Sequence, residues 1–222
     1  MMRRNNFPFS AVLGLNHAKT AILVVLVNPR AGGLLISGPQ GIGKSTLMRS
    51  TQELIERPWR DIPVSVTEDR LFGTIDTEKA IYSGQKKLYP GIINEADQGV
   101  LYLDDANLLR EDLLDSILNI AEVGAYQLER DGLSLRCDTS FTVIATINPE
   151  SGMLSGACLD QFGLFVNVDN IHDENTRVEI LKRTISFEKD CASFCKLWKL
   201  ENEKIKKAIH SAMSLLPKVV VS

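Results

Sequence analysis

The chain has no long apolar run. The longest, Ala21 to Val27, is seven residues in a chain of 222, far short of the ~20 that a membrane-spanning helix needs. The N-terminus, Met1-Met2-Arg3-Arg4-Asn5-Asn6-Phe7-Pro8, lacks the apolar stretch and small-residue cleavage site of a secretory signal, so the expected location is the cytoplasm. An excess of positive charge is missing too. Lys plus Arg is 25 and Asp plus Glu is 28, a formal charge of −3. That excludes nucleic-acid binding through bulk positive charge and leaves only a local basic patch as a route to it. Cysteine and histidine are sparse. Cys191 and Cys195 stand at i and i+4, where one helix face would carry both and a metal or redox role is conceivable. Cys137 and Cys158 are scattered, no paired Cys/His cluster of a zinc site is present, and a chain of this size needs no disulfide framework. All four are read as reduced structural thiols. His17, His172 and His210 are isolated and are read as surface or partly packed residues. The remaining composition, 44% hydrophobic and 24% charged, is that of an ordinary globular chain, long enough for one large domain or one and a half small ones.

Along the chain no repeat or low-complexity segment occurs. Leu34 to Ile36 is a short apolar run that enters a glycine-rich turn, and Leu47 to Ile55 leaves it with a helix-compatible pattern. Glu56 to about Asp76 is polar and irregular, broken by Pro58 and Pro63. Gly99 to Leu103 reads as a second buried strand, with Asp104 and Asp105 at its C-terminal end. A helix follows from about Glu111 to Val123. Tyr126 to Arg136 alternates around Asp131-Gly132, a strong hairpin signal. Phe141 to Ile147 is a third buried strand, ended by Asn148-Pro149. From Asp173 onward helical patterns dominate. Ala21 to Val27 is ambiguous: its β-branched residues favour a strand, its position after Asn16-His17-Ala18-Lys19 suits a helix, and the reading leans to helix. Buried strands alternating with helices predict an α/β fold with a mostly parallel, doubly wound sheet.

The chemistry concentrates in Gly38-Pro39-Gln40-Gly41-Ile42-Gly43-Lys44-Ser45-Thr46, which satisfies the phosphate-binding pattern G-x-x-x-x-G-K-[ST]. The glycines let the backbone curl so that successive N–H groups point at a β-phosphate, and the helix that follows adds its N-terminal partial charge. Lys44 is placed to bridge the β- and γ-phosphates and the Ser45 hydroxyl to ligate Mg²⁺. The competing reading is a structural glycine loop, but strand before and helix after are the context that nucleotide binding requires. Asp104, at the end of an apolar strand, can hold Mg²⁺ through water or merely cap a helix. Asn148 can orient an attacking water, although an Asn-Pro turn alone would be unremarkable.

Six further segments occur in order: Phe7-Pro8-Phe9-Ser10-Ala11-Val12-Leu13-Gly14, Thr67 to Asp76 (TEDRLFGTID), Pro90-Gly91-Ile92-Ile93, Asn107-Leu108-Leu109, Glu129-Arg130-Asp131-Gly132 and Asn148-Pro149-Glu150. With the P-loop they closely resemble the ATPase (I) subunit of magnesium chelatase, a AAA+ protein, over roughly residues 7 to 187. The resemblance implies a AAA+ α/β core over 1–170, a β-hairpin insertion at Asp131-Gly132, and the start of a helical lid over 171–222. It implies ATP and Mg²⁺ as cofactors and a homo-oligomeric ring, hexameric in the family. The implied partners are a von Willebrand-type subunit and a porphyrin-binding subunit, with which the ring inserts Mg²⁺ into protoporphyrin IX. Neither a membrane span nor a nucleic-acid partner is expected. Asn148 takes the place of sensor 1, and Asp105 that of the acid that polarises the attacking water.

Three departures from the family stand out. Walker B there ends Asp-Glu, whereas this chain has Asp104-Asp105, one methylene shorter at the second acid. The family's Leu-Leu-Asp-Arg-Phe-Gly is Cys158-Leu159-Asp160-Gln161-Phe162-Gly163 here, so a neutral side chain stands where the arginine finger is expected, and the arginine usual just upstream is Ser155. The sensor-2 arginine has no counterpart before Ser222. The first expectation is therefore a chelatase-type ATPase. The alternatives are a MoxR-like AAA+ ATPase that remodels or matures a partner protein, and a nucleotide-binding subunit with weak hydrolysis.

Overall fold

A computed structural model of the chain describes residues 6–75, 88–130 and 133–219. The elements, in order, are α1 (Asn16–Val27), β1 (Leu34–Ser37), α2 (Lys44–Thr51), β2 (Trp59–Ile62), α3 (Glu68–Phe72), β3 (Gly73–Ile75), β4 (Leu88–Pro90), α4 (Ile92–Glu95), β5 (Val100–Leu103), α5 (Glu111–Val123), β6 (Ala125–Arg130), β7 (Leu133–Asp138), β8 (Thr142–Ile147), α6 (Gly156–Asp160), β9 (Leu164–Asn167), α7 (Glu174–Lys189) and α8 (Cys191–Leu215). A five-stranded parallel sheet runs in the order β2-β5-β8-β1-β9, and β3-β4 and β6-β7 form two separate two-stranded sheets. β1, β5 and β8 are buried at every position. That is the pattern of strands covered on both faces, and it is why they read as continuous apolar runs rather than alternating ones.

Contacts divide the chain into two compact units. One comprises Gly32–Leu35 and Arg57–Phe165. Its core joins β2, β5 and β8 to α5, which buries Leu113, Leu114, Ile117, Leu118 and Ile120 at helical spacing. Glu111 and Asp112 sit in the first turn of α5, where negative charge favours the helix N-terminus. Gly124, at φ 78°, ends it in a left-handed cap whose N–H donates to Ile120 O. The other unit comprises Met1–Ala31, Ile36–Glu56 and Val166–Ser222. There α1 buries Ala18, Ala21, Ile22, Val25 and Leu26, so the run from Ala21 to Val27 is helical. Asp190 separates α7 from α8 and caps the latter, its carboxylate accepting from Ser193 N at 3.0 Å. Phe7 packs its ring 5.1 Å from Phe187 and 5.3 Å from Phe194, contacts worth ~0.5–1.5 kcal/mol each beyond burial.

Two expectations are corrected. The segment from Glu56 to Asp76, read as irregular, holds β2, α3 and β3. β2 exposes Arg60 and Asp61 and buries only Ile62, so its composition gives no strand signal. The helix after the P-loop is α-helical only to Thr51 and tightens into a 3₁₀ turn over Gln52–Leu54. β6 and β7 form the expected antiparallel hairpin, Tyr126 opposite Cys137, while the Asp131-Gly132 turn lies outside the described residues.

Candidate nucleotide and metal site

In the unit that carries the phosphate-binding loop, Ser37 ends β1, Gly38 to Gly43 form the turn, and Lys44 is the first residue of α2. Gly43 precedes the helix at φ 92° and Gly41 lies at φ 83°, conformations that disfavour any side chain. Gly38 is required by space instead. A Cβ there would stand 2.5 Å from Val168 O and 2.7 Å from Val168 Cγ2. Lys44 is 7% exposed, and its Nζ donates to Gly38 O at 2.6 Å and Pro39 O at 2.8 Å. A buried ammonium so close to the loop carbonyls is a cation held where anionic oxygens would enter. The residues fit a bound phosphate chain. Ser45 and Thr46 continue the first turn of α2, where the backbone N–H groups lack partners within the helix.

A cavity of about 530 Å³ adjoins this loop, within the ~300–1,000 Å³ of small-molecule sites. Gly41, Ile42, Gly43 and Thr46 form one wall, residues from Ala11 to Leu15 another, and Ile171 with Ile180, Arg177 and Arg183 of α7 close it. The N-terminal segment is braced from two sides. Lys19 Nζ donates to Val12 O and stands over the Phe9 ring. Arg183 donates to Ala11 O at 3.0 Å, pairs with Glu179 at 2.9 Å and stacks on Trp198 at 4.6 Å. Burial, and then the nearby Arg183 charge, hold the Lys19 ammonium below its ordinary pKa. The segment Phe7 to Gly14 thus contributes a wall of the cavity beside the P-loop. Sequence reasoning missed that role.

The other unit holds the acids. Asp104 follows β5 directly. Its Oδ1 accepts from Tyr102 Oη at 2.7 Å and from Thr146 Oγ1 at 2.8 Å. Asp105 is in the left-handed region at φ 50°, and its N–H donates to Thr146 Oγ1 at 3.2 Å. Asn148 ends β8, but its side chain is turned into its own loop: Oδ1 accepts from Glu150 N at 3.1 Å and Nδ2 donates to Ser151 Oγ at 3.3 Å. Asn107 ties the same loop by donating to Asn148 O at 3.1 Å and Gly152 O at 3.0 Å. Asp104, Asp105 and Asn148 therefore gather at the ends of neighbouring strands β5 and β8. Carboxylate oxygens of this kind suit Mg²⁺ rather than a soft metal. Gln161 is the C-cap residue of α6. Its Nε2 stands 3.5 Å from Ala157 O, and its Oε1 is buried without a hydrogen-bond partner.

The sequence matches the AAA domain (dynein-related subfamily) over residues 33–161. It is 34% identical to a magnesium-chelatase subunit ChlI homolog of Methanocaldococcus jannaschii, over the whole of this chain and 71% of that protein. It is 35% identical to the magnesium-chelatase 38 kDa subunit of Rhodobacter capsulatus, over 96% of this chain and 70% of that one. Among solved structures, a cryo-EM-based complex of subunits BchI and BchD of magnesium chelatase superposes with a TM-score of 0.70 at 35% identity, over 97% of this chain and 77% of that one. With a P-loop, strand-end acids and this likeness along nearly its full length, the chain belongs to the magnesium-chelatase I-subunit family of AAA-domain ATPases, whose cofactors are ATP and Mg²⁺.

Proposed function

We propose that the chain is the ATP-driven subunit of a chelatase-type machine that inserts Mg²⁺ into a tetrapyrrole, and that its own hydrolysis is slow. The observation that carries the reading is the buried Lys44 held in the curl of the Gly38–Gly43 loop, in a chain whose relatives are named as magnesium-chelatase subunits. In this reading Gly38 to Thr46 cradle the triphosphate, Lys44 neutralises the β- and γ-phosphates, and Ser45 and Asp104 hold Mg²⁺. Bound Mg²⁺ would supply charge neutralisation at the transferring phosphoryl group. Asp105 orients the attacking water, and Asn148 must leave its bonds to Glu150 and Ser151 to reach it. The assembly is a ring of six copies, with residues 171–222 beginning a lid and the β6–β7 hairpin on the working face. The partners are a BchD-like subunit and a porphyrin-binding subunit.

Slow hydrolysis follows from two residues. Gln161 stands at the family's finger position and carries no charge to offset that of a phosphoryl group in flight. Asp105 is one methylene shorter than the glutamate expected there, and a base must come within about 3 Å of its water. These favour a second reading of the same site, a nucleotide-binding subunit whose role is assembly rather than turnover. Reconstitution with chelatase partner subunits, following Mg²⁺-porphyrin formation and phosphate release together, separates the two. Porphyrin metallation dependent on this chain and on ATP supports the first. Nucleotide-dependent assembly without metallation or phosphate release supports the second.

A further inference from the structure

We propose that the Thr146 hydroxyl, assisted by that of Tyr102, is the positioning group for both acids at the end of β5, setting the Asp104 carboxylate for Mg²⁺ and the Asp105 backbone for its water. The inference rests on the assignment of Asp104 to the metal made above.

β8 pairs with β5 in parallel register, Leu103 opposite Ala145, which brings the next residue of each strand, Asp104 and Thr146, side by side. Thr146 is fully buried, at 0% exposure, in a strand buried at every position. A hydroxyl in such a place costs free energy unless it is bonded. Its bonds converge on the acids. It carries one hydrogen, which goes to Asp104 Oδ1 at 2.8 Å. Its lone pair takes the Asp105 N–H at 3.2 Å. Tyr102 sends its own hydrogen to the same Oδ1 at 2.7 Å, its hydroxyl lying 3.4 Å from that of Thr146. Both hydroxyl hydrogens are thereby directed at one oxygen, whose two lone pairs accept them together. Two donors on a single oxygen fix the carboxylate plane. The same threonine holds the Asp104–Asp105 peptide, and Asp105 sits in a left-handed conformation that costs ~1–2 kcal/mol when nothing constrains it. The Tyr102 ring is itself steadied by Trp59, with centroids 5.9 Å apart. Where valine would serve the core equally, a buried hydroxyl that reaches both acids is a device for orienting them.

The test titrates a fluorescent ATP analogue at increasing Mg²⁺ and reads the factor by which the metal tightens binding, in the wild type and in Asp104→Asn, Thr146→Val, Thr146→Ser and Tyr102→Phe. A hydrogen bond to a charged group is lost in Thr146→Val, so the Mg²⁺ factor is expected to fall about tenfold. Tyr102→Phe is expected to lower it about threefold, and Thr146→Ser to keep it within about twofold. A merely structural threonine would change the melting temperature and leave the Mg²⁺ factor alone. If Asp104→Asn loses the Mg²⁺ response and Thr146→Val keeps it, the positioning role is wrong while the metal assignment stands. If Asp104→Asn keeps the full response, the metal assignment falls and this inference with it. Should Thr146→Val not fold, Tyr102→Phe decides, since it removes one donor to the same oxygen, and an unchanged Mg²⁺ factor overturns the proposal.

Discussion

Replacing Gly38 by alanine asks whether the P-loop is a close-packed cradle or a loose turn. The added Cβ would lie 2.5 Å from Val168 O, 2.7 Å from Val168 Cγ2 and 2.8 Å from Ile42 Cδ1. The Ile42 methyl can swing away. The Val168 carbonyl cannot retreat as easily, because the Val168 N–H is tied to Ser37 O at 2.8 Å. The backbone must therefore part by about 0.9 Å to reach ordinary van der Waals contact. Overpacking of this kind costs about 1–3 kcal/mol. In a chain of this length each kcal/mol lowers the melting temperature by about 2–4 °C. The displaced carbonyls include Gly38 O, which receives Lys44 Nζ, so nucleotide affinity should fall as well, by about tenfold or more. Gly41→Ala is the matched control. It has nothing within 4 Å of its Cβ but a φ of +83°, so it should cost ~1–2 kcal/mol through the backbone alone. Thermal melts with and without MgATP, together with a nucleotide titration, read both effects. A Gly38→Ala protein that melts and binds like the wild type would refute the packed-cradle account.

Gln161→Arg, alone or with Asp105→Glu, should raise ATP turnover, since an arginine finger is worth about 10³–10⁵ in rate where it has been measured. The gain should grow with protein concentration because the finger acts across subunits. No gain in the assembled double variant would place the rate limit elsewhere. The capping carboxylates of Asp173 and Asp190 are held below the ordinary range by the hydroxyls and N–H groups of Thr176 and Ser193. A depressed folded-state pKa gives stability that is present above the unfolded value near 3.8 and lost as pH falls through the folded value. Acid titration of helicity should therefore lose part of its steepness below pH ~4 in the Asp173→Asn, Asp190→Asn double variant; an unchanged acid branch would show that the caps do not contribute.

The parts legible in the sequence are those whose physics is local. The P-loop turn needs its glycines and Lys44 at fixed spacing, and β5 and β8 are buried on both faces, so both show as motif and apolar run. α5 declares itself by its period. β2 was hidden because its exposed Arg60 and Asp61 imitate a loop. In β9, Leu164 and Val166 alternate with more exposed neighbours, but this period-two signal is too short to stand out in the sequence. Tyr102 and Thr146 were invisible as site residues. Inside runs read as buried strands they pass for core, and only the pairing register shows their hydroxyls meeting Asp104. The engagement of Asn148 by its own turn is likewise a matter of side-chain direction, which spacing cannot carry.

The central claim is that MgATP binds through the Gly38–Thr46 loop and its buried lysine. Calorimetric titration of MgATP into the wild type and Lys44→Ala tests it directly. The expected result is one nucleotide per wild-type chain and an affinity at least about a hundredfold lower in the variant, since charge-assisted bonds to the phosphates are each worth ~1.5–3 kcal/mol. Equal affinity in the two proteins, or no binding by the wild type, would contradict the account.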